Sequence, residues 1–422
     1  MYQIENSRQV LESGRKLTSR RGLPRVSRNV VFLGLTSLFT DVSSEMVSTV
    51  LPIYLVLTLG VTPIAFGIID GLYQGASVLV RVASGLVSDR WRHPKRVATL
   101  GYGLSAVCKL GLLAAQGAFG VLTSFVLLDR IGKGIRTAPR DTMISLSSSA
   151  QGLATAFGVH RALDTAGAML GPLIAFILLA AIPGAFDAVF VVSFCAAVIG
   201  LALLVLFVKD PARSSDTARE TPNLTGKAVR ELLGARRFQA IVAIGGALGL
   251  VTISDSFIYL ALQRRLDLNV GFFPLLFVAT ALVYMVLAVP LGHLADRFGR
   301  SRVFIAGYAA LAIVYLALLL PDMGPLAVVA VIGLLGAYYA MTDGVLAAIA
   351  SAIVPADVRG TGLSLLATAT SVGRLAASVL FGIAWTVGGV QAAVLLFLAA
   401  LVGVSLSAAW LLGRKGEMTA IG

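Results

Sequence analysis

Asp41 and Glu45 stand four residues apart in a segment that otherwise carries almost no charge. At that spacing they share one face of a helix. Asp41 lies about twelve residues inside the apolar stretch, or ~18 Å along a helix. If the stretch spans a bilayer, that is near its middle. Two carboxylates this close in a poorly hydrated cavity do not both ionise easily, so the pair suits a proton-binding site. The competing reading is a pair of structural salt bridges to Arg or Lys on neighbouring helices.

Further along, Arg130, Lys133, Arg136 and Arg140 recur every three or four residues and form one basic stripe. Arg136 and Arg140 are expected to reach the membrane interface by snorkelling. Arg130 is too deep for that and is expected to approach Asp41 or Asp164, which would tie protonation to conformation. Arg161 and Asp164 share a helix face and make either a structural ion pair or a coupling pair; the adjacent His160 reads as packing. Asp70, Gln74, Ser77 and Arg81 form another polar stripe. Acids and bases balance across these early segments, so the basic residues by themselves do not demand an anionic substrate. The second half of the chain keeps only Asp255, Asp343 and Arg374 deep within apolar segments. Asp255, Tyr259, Tyr338, Tyr339 and Arg374, with Lys133, are candidates for a pocket suited to a small amphipathic molecule.

The elements that hold these groups follow from composition. The 422-residue chain is 57% hydrophobic and 13% charged, where soluble domains carry about 25% charged residues. Stretches such as 188–208 and 390–412 reach the ~20 residues that cross a bilayer. Helices are expected near 29–57, 64–88, 97–116, 119–146, 152–181 and 186–208, then 237–264, 272–294, 303–320, 325–353, 359–386 and 389–413. This divides the chain into an N-terminal six-helix bundle (29–208), a polar linker (209–236) and a C-terminal six-helix bundle (237–413). Basic tails at 1–28 and 414–422 flank them.

The net charge of +13 is a topology signal rather than a nucleic-acid footprint. Most Lys and Arg fall in segments on the side of the termini, which places both termini in the cytoplasm of a multi-pass inner-membrane protein. Cys108 and Cys195 fall within helices and imply no disulfide framework. No nucleophile–base pair or metal-ligand cluster points to an enzyme, and no cofactor is expected. The expected partners are a small-molecule substrate, protons and the lipid bilayer, with the chain acting as a monomer and binding no nucleic acid.

The two halves repeat each other. Gly85-Leu-Val-Ser-Asp89-Arg90 aligns with Gly292-His-Leu-Ala-Asp296-Arg297, and Gly101-Tyr102 with Gly307-Tyr308. The second copy continues as Phe298-Gly299-Arg300-Ser-Arg302 and resembles the loop signature of the major facilitator superfamily. The first copy departs from it, with Arg92-His93-Pro94 where the glycine is usual. Arg130-Ile-Gly-Lys133-Gly134 is similar to a second signature, with Lys replacing Gln. Gly167-Ala-Met-Leu-Gly171-Pro172 resembles the helix-5 motif of antiporters in that superfamily. Phe39-Thr-Asp41-Val-Ser-Ser-Glu45-Met46 resembles a group of bacterial drug/proton-antiporter-like permeases.

The resemblance implies an all-α membrane protein with twelve transmembrane helices in two pseudo-symmetric bundles, the major facilitator fold. It also implies transport by alternating access, with antiport favoured by the helix-5 motif. Proton coupling would then fall to Asp41, Glu45, Arg130, Arg161 and Asp164. Gating would fall to the loops at Gly85, Asp89 and Arg90 and at Gly292, Asp296, Arg297, Gly299 and Arg300. Symport or uniport of a metabolite, organic anion or metal chelate is one alternative, and a non-transporting membrane receptor on the same scaffold is another.

Overall fold

The computed structural model describes residues 26–91, 93–115, 117–148, 152–210, 231–266, 269–321, 324–355 and 359–413, with side chains 78–79, 81–91, 154, 325, 359–360 and 413 outside the description. All described regular structure is helical. The first half contributes α1 (Arg28–Ile53, ending in a wider turn at Tyr54–Thr58), α2 (Pro63–Trp91), α3 (Pro94–Ala114), α4 (Phe119–Leu146), α5 (Leu153–Ala181) and α6 (Phe186–Phe207). The second contributes α7 (Arg236–Leu250 and Asp255–Leu266), α8 (Phe273–Phe298), α9 (Arg300–Ala317) and α10 (Pro325–Thr342 and Val345–Ser351). The last helical run, Arg359–Gly413, is divided at Gly389, whose φ of 78° is not helical. Its parts, 359–388 and 390–413, are α11 and α12. Twelve helical elements result among the described residues, and nine spans among them are long and apolar enough to cross a membrane, one containing both α11 and α12.

Local chemistry sets the ends. Ser27 caps α1 by accepting from the Val30 N–H, and prolines open α3 and α10, where a missing N–H costs nothing. The α8–α9 turn uses Gly299 at φ 102°, a conformation that penalises any side chain.

Within the first half α1 packs on α5 and α6, and α4 on α2 and α3. The second half repeats this, with α7 on α11 and α10 on α8 and α9. Small residues permit the close approaches. Gly167 and Gly171 of α5 lie against the α1 backbone at Leu38 and Val42. The halves meet mainly where α2 crosses α11 and α5 crosses α8.

The α2–α11 seam is a glycine ladder. Gly67, Gly71 and Gly75 face Ser378 and Leu375, and Gly382 faces Pro63 and Ile64. Asp70, between two rungs, accepts a 2.5 Å hydrogen bond from Ser378 and one of 3.2 Å from Gln74. The Ile64 N–H donates to Thr386 Oγ1 at 3.1 Å. An aromatic cluster seals the same end: Phe257 lies 4.9 Å from Phe66 and 4.9 Å from Phe381, ring centre to ring centre. Phe176 and Phe272 meet at 5.7 Å between α5 and the start of α8. These contacts between the halves lie in the half of the molecule away from the termini.

Two helices expected to be continuous are broken. Helix α7 opens at Val251–Ser254, where Val251, Thr252 and Ile253 are β-branched and poor helix formers. Tyr315 of α9 repairs the backbone there: its hydroxyl accepts from the Ile253 N–H at 2.6 Å and donates to the Val251 carbonyl at 3.3 Å. Helix α10 opens at Asp343–Gly344, with Gly344 at φ 80°. Irregular backbone at membrane depth persists where protein or a water-filled cavity surrounds it.

Candidate functional site

Three groups of charged side chains occupy the interior. The first joins α1, α4 and α5. Ser37 and Asp41 stand one turn apart on α1. Arg140 donates to Ser37 Oγ at 3.0 Å and to Asp141 at 3.0 Å, and lies 3.7 Å from Asp164 Oδ1. Arg136 lies 3.8 Å from Asp41 Oδ1, with its guanidinium 4.7 Å from the centre of the Tyr102 ring. Asp41 and Asp164 are within side-chain hydrogen-bonding reach of each other. Lys133 adds its positive field to Asp41. His160 is buried beside this group, its Nδ1 without a hydrogen-bond partner among the described residues.

These positions correct two expectations. Arg136 and Arg140 do not snorkel; they are 3% and 6% exposed and hold carboxylates inside the bundle. Arg130 does not approach Asp41 or Asp164.

Arg130 belongs to a second group between α3 and α4. Its Nε donates to Asp129 Oδ2 at 3.2 Å, and Lys109 Nζ lies 3.0 Å from Asp129 Oδ1. The Arg130 guanidinium stacks 3.9 Å from the Tyr73 ring centre. One acid shared by two cations leaves a net positive charge, and Glu45 stands near enough to offset it. Glu45 also accepts from Ser48 at 2.8 Å. The structure therefore separates Asp41 and Glu45, which share a helix face, into different groups. Neighbouring helices supply each with its own partners.

The third group lies in the second half. Asp255, the first residue after the α7 break, accepts from the Tyr339 hydroxyl at 2.7 Å. Tyr338 and Tyr339 rings are 5.0 Å apart, and Tyr308 lies 5.4 Å from Tyr338. Arg374 stands among these tyrosines and Asp343. Among the described residues its Nε has no hydrogen-bond partner, and neither has Asp343 Oδ2 or the Tyr338 hydroxyl. Arg161, from the first half, bears on Asp343 and on Tyr284. Tyr259 is fully buried, donates to Thr280 at 2.6 Å and packs 4.6 Å from Phe277.

At the α8–α9 turn Arg300 clasps Asp296, with Nη2 at 2.9 Å and Nε at 3.0 Å, and its Nη1 reaches the Ala348 carbonyl at 3.4 Å. This clasp ties the signature loop to the short second piece of α10. Arg297 lies over the Phe298 ring at 5.5 Å, and Gly292 faces open space. In the other loop Gly85, Asp89 and Arg90 fall on α2, but their side chains lie outside the described residues. Gly167 and Gly171 press on α1 beside Asp41 and Glu45, and Pro172 sits within α5. A surface cleft of about 460 Å³, lined by Arg265, Pro321 and Gly388–Gln391, contains none of the three groups.

Sequence reasoning missed the partners of Arg136 and Arg140, the α2–α11 seam and both helix breaks. The seam and the breaks had legible signals. Gly67-x3-Gly71-x3-Gly75 is a small-residue stripe of the kind that lets membrane helices touch, and Asp343-Gly344 is a turn dipeptide inside an apolar run.

Twelve helices in two similar halves, with charged groups buried between facing helices, define a polytopic membrane-protein scaffold. Family comparison agrees: the sequence pattern of the Major Facilitator Superfamily matches residues 33–274 and 247–420. The chain belongs to that superfamily. It is 31% identical over 372 residues to an uncharacterized MFS-type transporter of Methanocaldococcus jannaschii, covering 86% of this chain and 89% of the relative. Among solved structures, the nucleoside transporter NupG aligns with a TM-score of 0.74 at 13% identity, over 90% of this chain and 98% of that one. A D-xylose-proton symporter aligns with a TM-score of 0.70 at 16% identity, over 90% and 95%. At such identities the likeness concerns the fold.

Proposed function

We propose that this chain is a proton-coupled antiporter that exports a small organic molecule across the cell membrane, with both termini in the cytoplasm. The observation that carries the reading is the Asp41–Asp164 pair, braced by Arg136 and Arg140 at the junction of α1, α4 and α5. Two carboxyls in hydrogen-bonding reach hold one proton between them readily. Removing it leaves two like charges, offset by Lys133, Arg136 and Arg140. Because α1 and α5 both border the second half, a change in their packing alters how the halves meet. Protonation and rocking are then one event, and charge inside the membrane is confined to groups with partners.

In this orientation the end closed by the α2–α11 seam and the aromatic cluster is the outer one. Loading from the cytoplasm and proton entry from outside give export. The α2–α11 ladder separates when the outer side opens, and the Asp296–Arg300 clasp, which ties the α8–α9 turn to α10, serves as a gate at the side of the termini. The glycine pair of α5, pressed against α1 next to Asp41, supports antiport because it lets those helices slide in close contact.

The test is transport in proteoliposomes with an imposed pH gradient. Substrate efflux is expected to collapse when the gradient is dissipated and in Asp41→Asn. Unchanged efflux without a gradient would exclude proton coupling, and normal activity of Asp41→Asn would remove that residue from the mechanism. Import by symport is the second reading, favoured by the open donor at Arg374 Nε, which offers a seat for an anion. Protons moving in the same direction as substrate would select it.

A further inference from the structure

Arg374 and Asp343 remain close and incompletely satisfied at the centre of the second half. Each is the other's electrostatic neighbour, yet Arg374 Nε and Asp343 Oδ2 both lack a hydrogen-bond partner among the described residues. The nearest phenolic groups do not resolve this: Tyr339 is committed to Asp255, and the Tyr338 hydroxyl meets no hydrogen-bond geometry among the described residues. A guanidinium nitrogen and a carboxylate oxygen left without partners in a membrane interior are each costly. Their persistence side by side without a mutual hydrogen bond marks a gap that something of complementary charge fills.

The geometry points to a substrate that carries a carboxylate and an ammonium group on one small scaffold, the carboxylate held by Arg374 and the ammonium by Asp343. A guanidinium binds a planar carboxylate through two parallel N–H donors, and the hydroxyl of Tyr338 supplies a third polar contact. Asp343 is placed for an ammonium by the break in α10. Gly344 turns the chain there, so the carboxylate sits at a helix end rather than along a packed flank. The tyrosine rings of Tyr308, Tyr338 and Tyr339 line the site with apolar faces, which suits a zwitterionic head with an apolar body. Arg161 approaches from the opposite half, so occupancy is sensed across the interface that must move. This assignment names the substrate class of the proposed transporter and rests on that reading.

The test uses the purified full-length protein in detergent and binding measured by calorimetry. The probes are matched sets: leucine with 4-methylpentanoate and isopentylamine, and phenylalanine with 3-phenylpropionate and phenethylamine. The zwitterion of at least one set should bind at least tenfold more tightly than both of its singly charged analogues. Arg374→Lys should erase the advantage over the amine, and Asp343→Asn the advantage over the carboxylate. Size-exclusion profiles and melting temperatures of both variants establish that they fold. If a variant does not fold, Tyr338→Phe, which should weaken zwitterion binding several-fold, takes its place.

Equal binding of carboxylate and zwitterion would overturn the role of Asp343. No binding of either zwitterion, or binding untouched by both substitutions, would overturn the assignment. Proton-coupled efflux of a lipophilic dye in the absence of zwitterion binding would sink this inference alone. Zwitterion binding with transport indifferent to the pH gradient would sink the antiport reading alone.

Discussion

Gly71→Ala is expected to weaken closure of the end remote from the termini. In the closed seam an added Cβ at position 71 would lie 2.8 Å from the Leu375 carbonyl oxygen. Ordinary van der Waals contact begins at 3.4 Å, and the obstacle is backbone, which cannot rotate aside. Overpacking of this kind costs about 1–3 kcal/mol, or roughly a 5- to 150-fold shift toward the state in which α2 and α11 part. The reporter is Ser378→Cys, since Ser378 is 1% exposed while closed. In a background with Cys108 and Cys195 replaced by Ser, a membrane-impermeant maleimide applied opposite the termini should label it at least about fivefold faster in Gly71→Ala. Gly120→Ala is the control, because a Cβ there meets nothing within 4 Å, and labelling should not change. Equal labelling rates with and without Gly71→Ala would refute the claim that this seam is the closing surface.

Asp129→Asn removes the acid that Lys109 and Arg130 share. It should cost about 3–5 kcal/mol, read as a large drop in melting temperature that Lys109→Met partly restores. Tyr315→Phe removes both hydrogen bonds that mend the α7 break. It should destabilise by about 1–3 kcal/mol, with faster amide exchange at Ile253. Arg140→Gln should lower the melting temperature in isolation and less so with Asp164→Asn, since the double change removes both ends of one pair; strict additivity would deny the coupling. Arg300→Ala should change stability by less than about 1 kcal/mol, because its clasp with Asp296 is exposed, and yet slow transport turnover in proteoliposomes.

The sequence by itself determined the fold. Apolar runs of bilayer length admit only helices, because each must satisfy its own backbone in lipid. The repeated Gly-x3-Asp-Arg loop revealed two copies of one bundle. Spacing also identified the deep charged residues, since helical period places Asp41 with Glu45 and Arg136 with Arg140 on common faces. It could not say which faces meet. Asp41 found Arg136 and Asp164 while Glu45 turned toward Arg130 and Tyr73, because helix rotation is set by packing against α4, α5 and α2 rather than by any local signal. Arg136 and Arg140 read as interface residues until neighbours were in place; partners inside the bundle made burial less costly than reaching for water. The helix breaks had cues in Asp343-Gly344 and in the β-branched run at Val251. Only the Tyr315 hydroxyl, delivered from another helix, makes the second break tolerable. Charge inside a membrane is settled by pairing, and pairing is a property of tertiary structure.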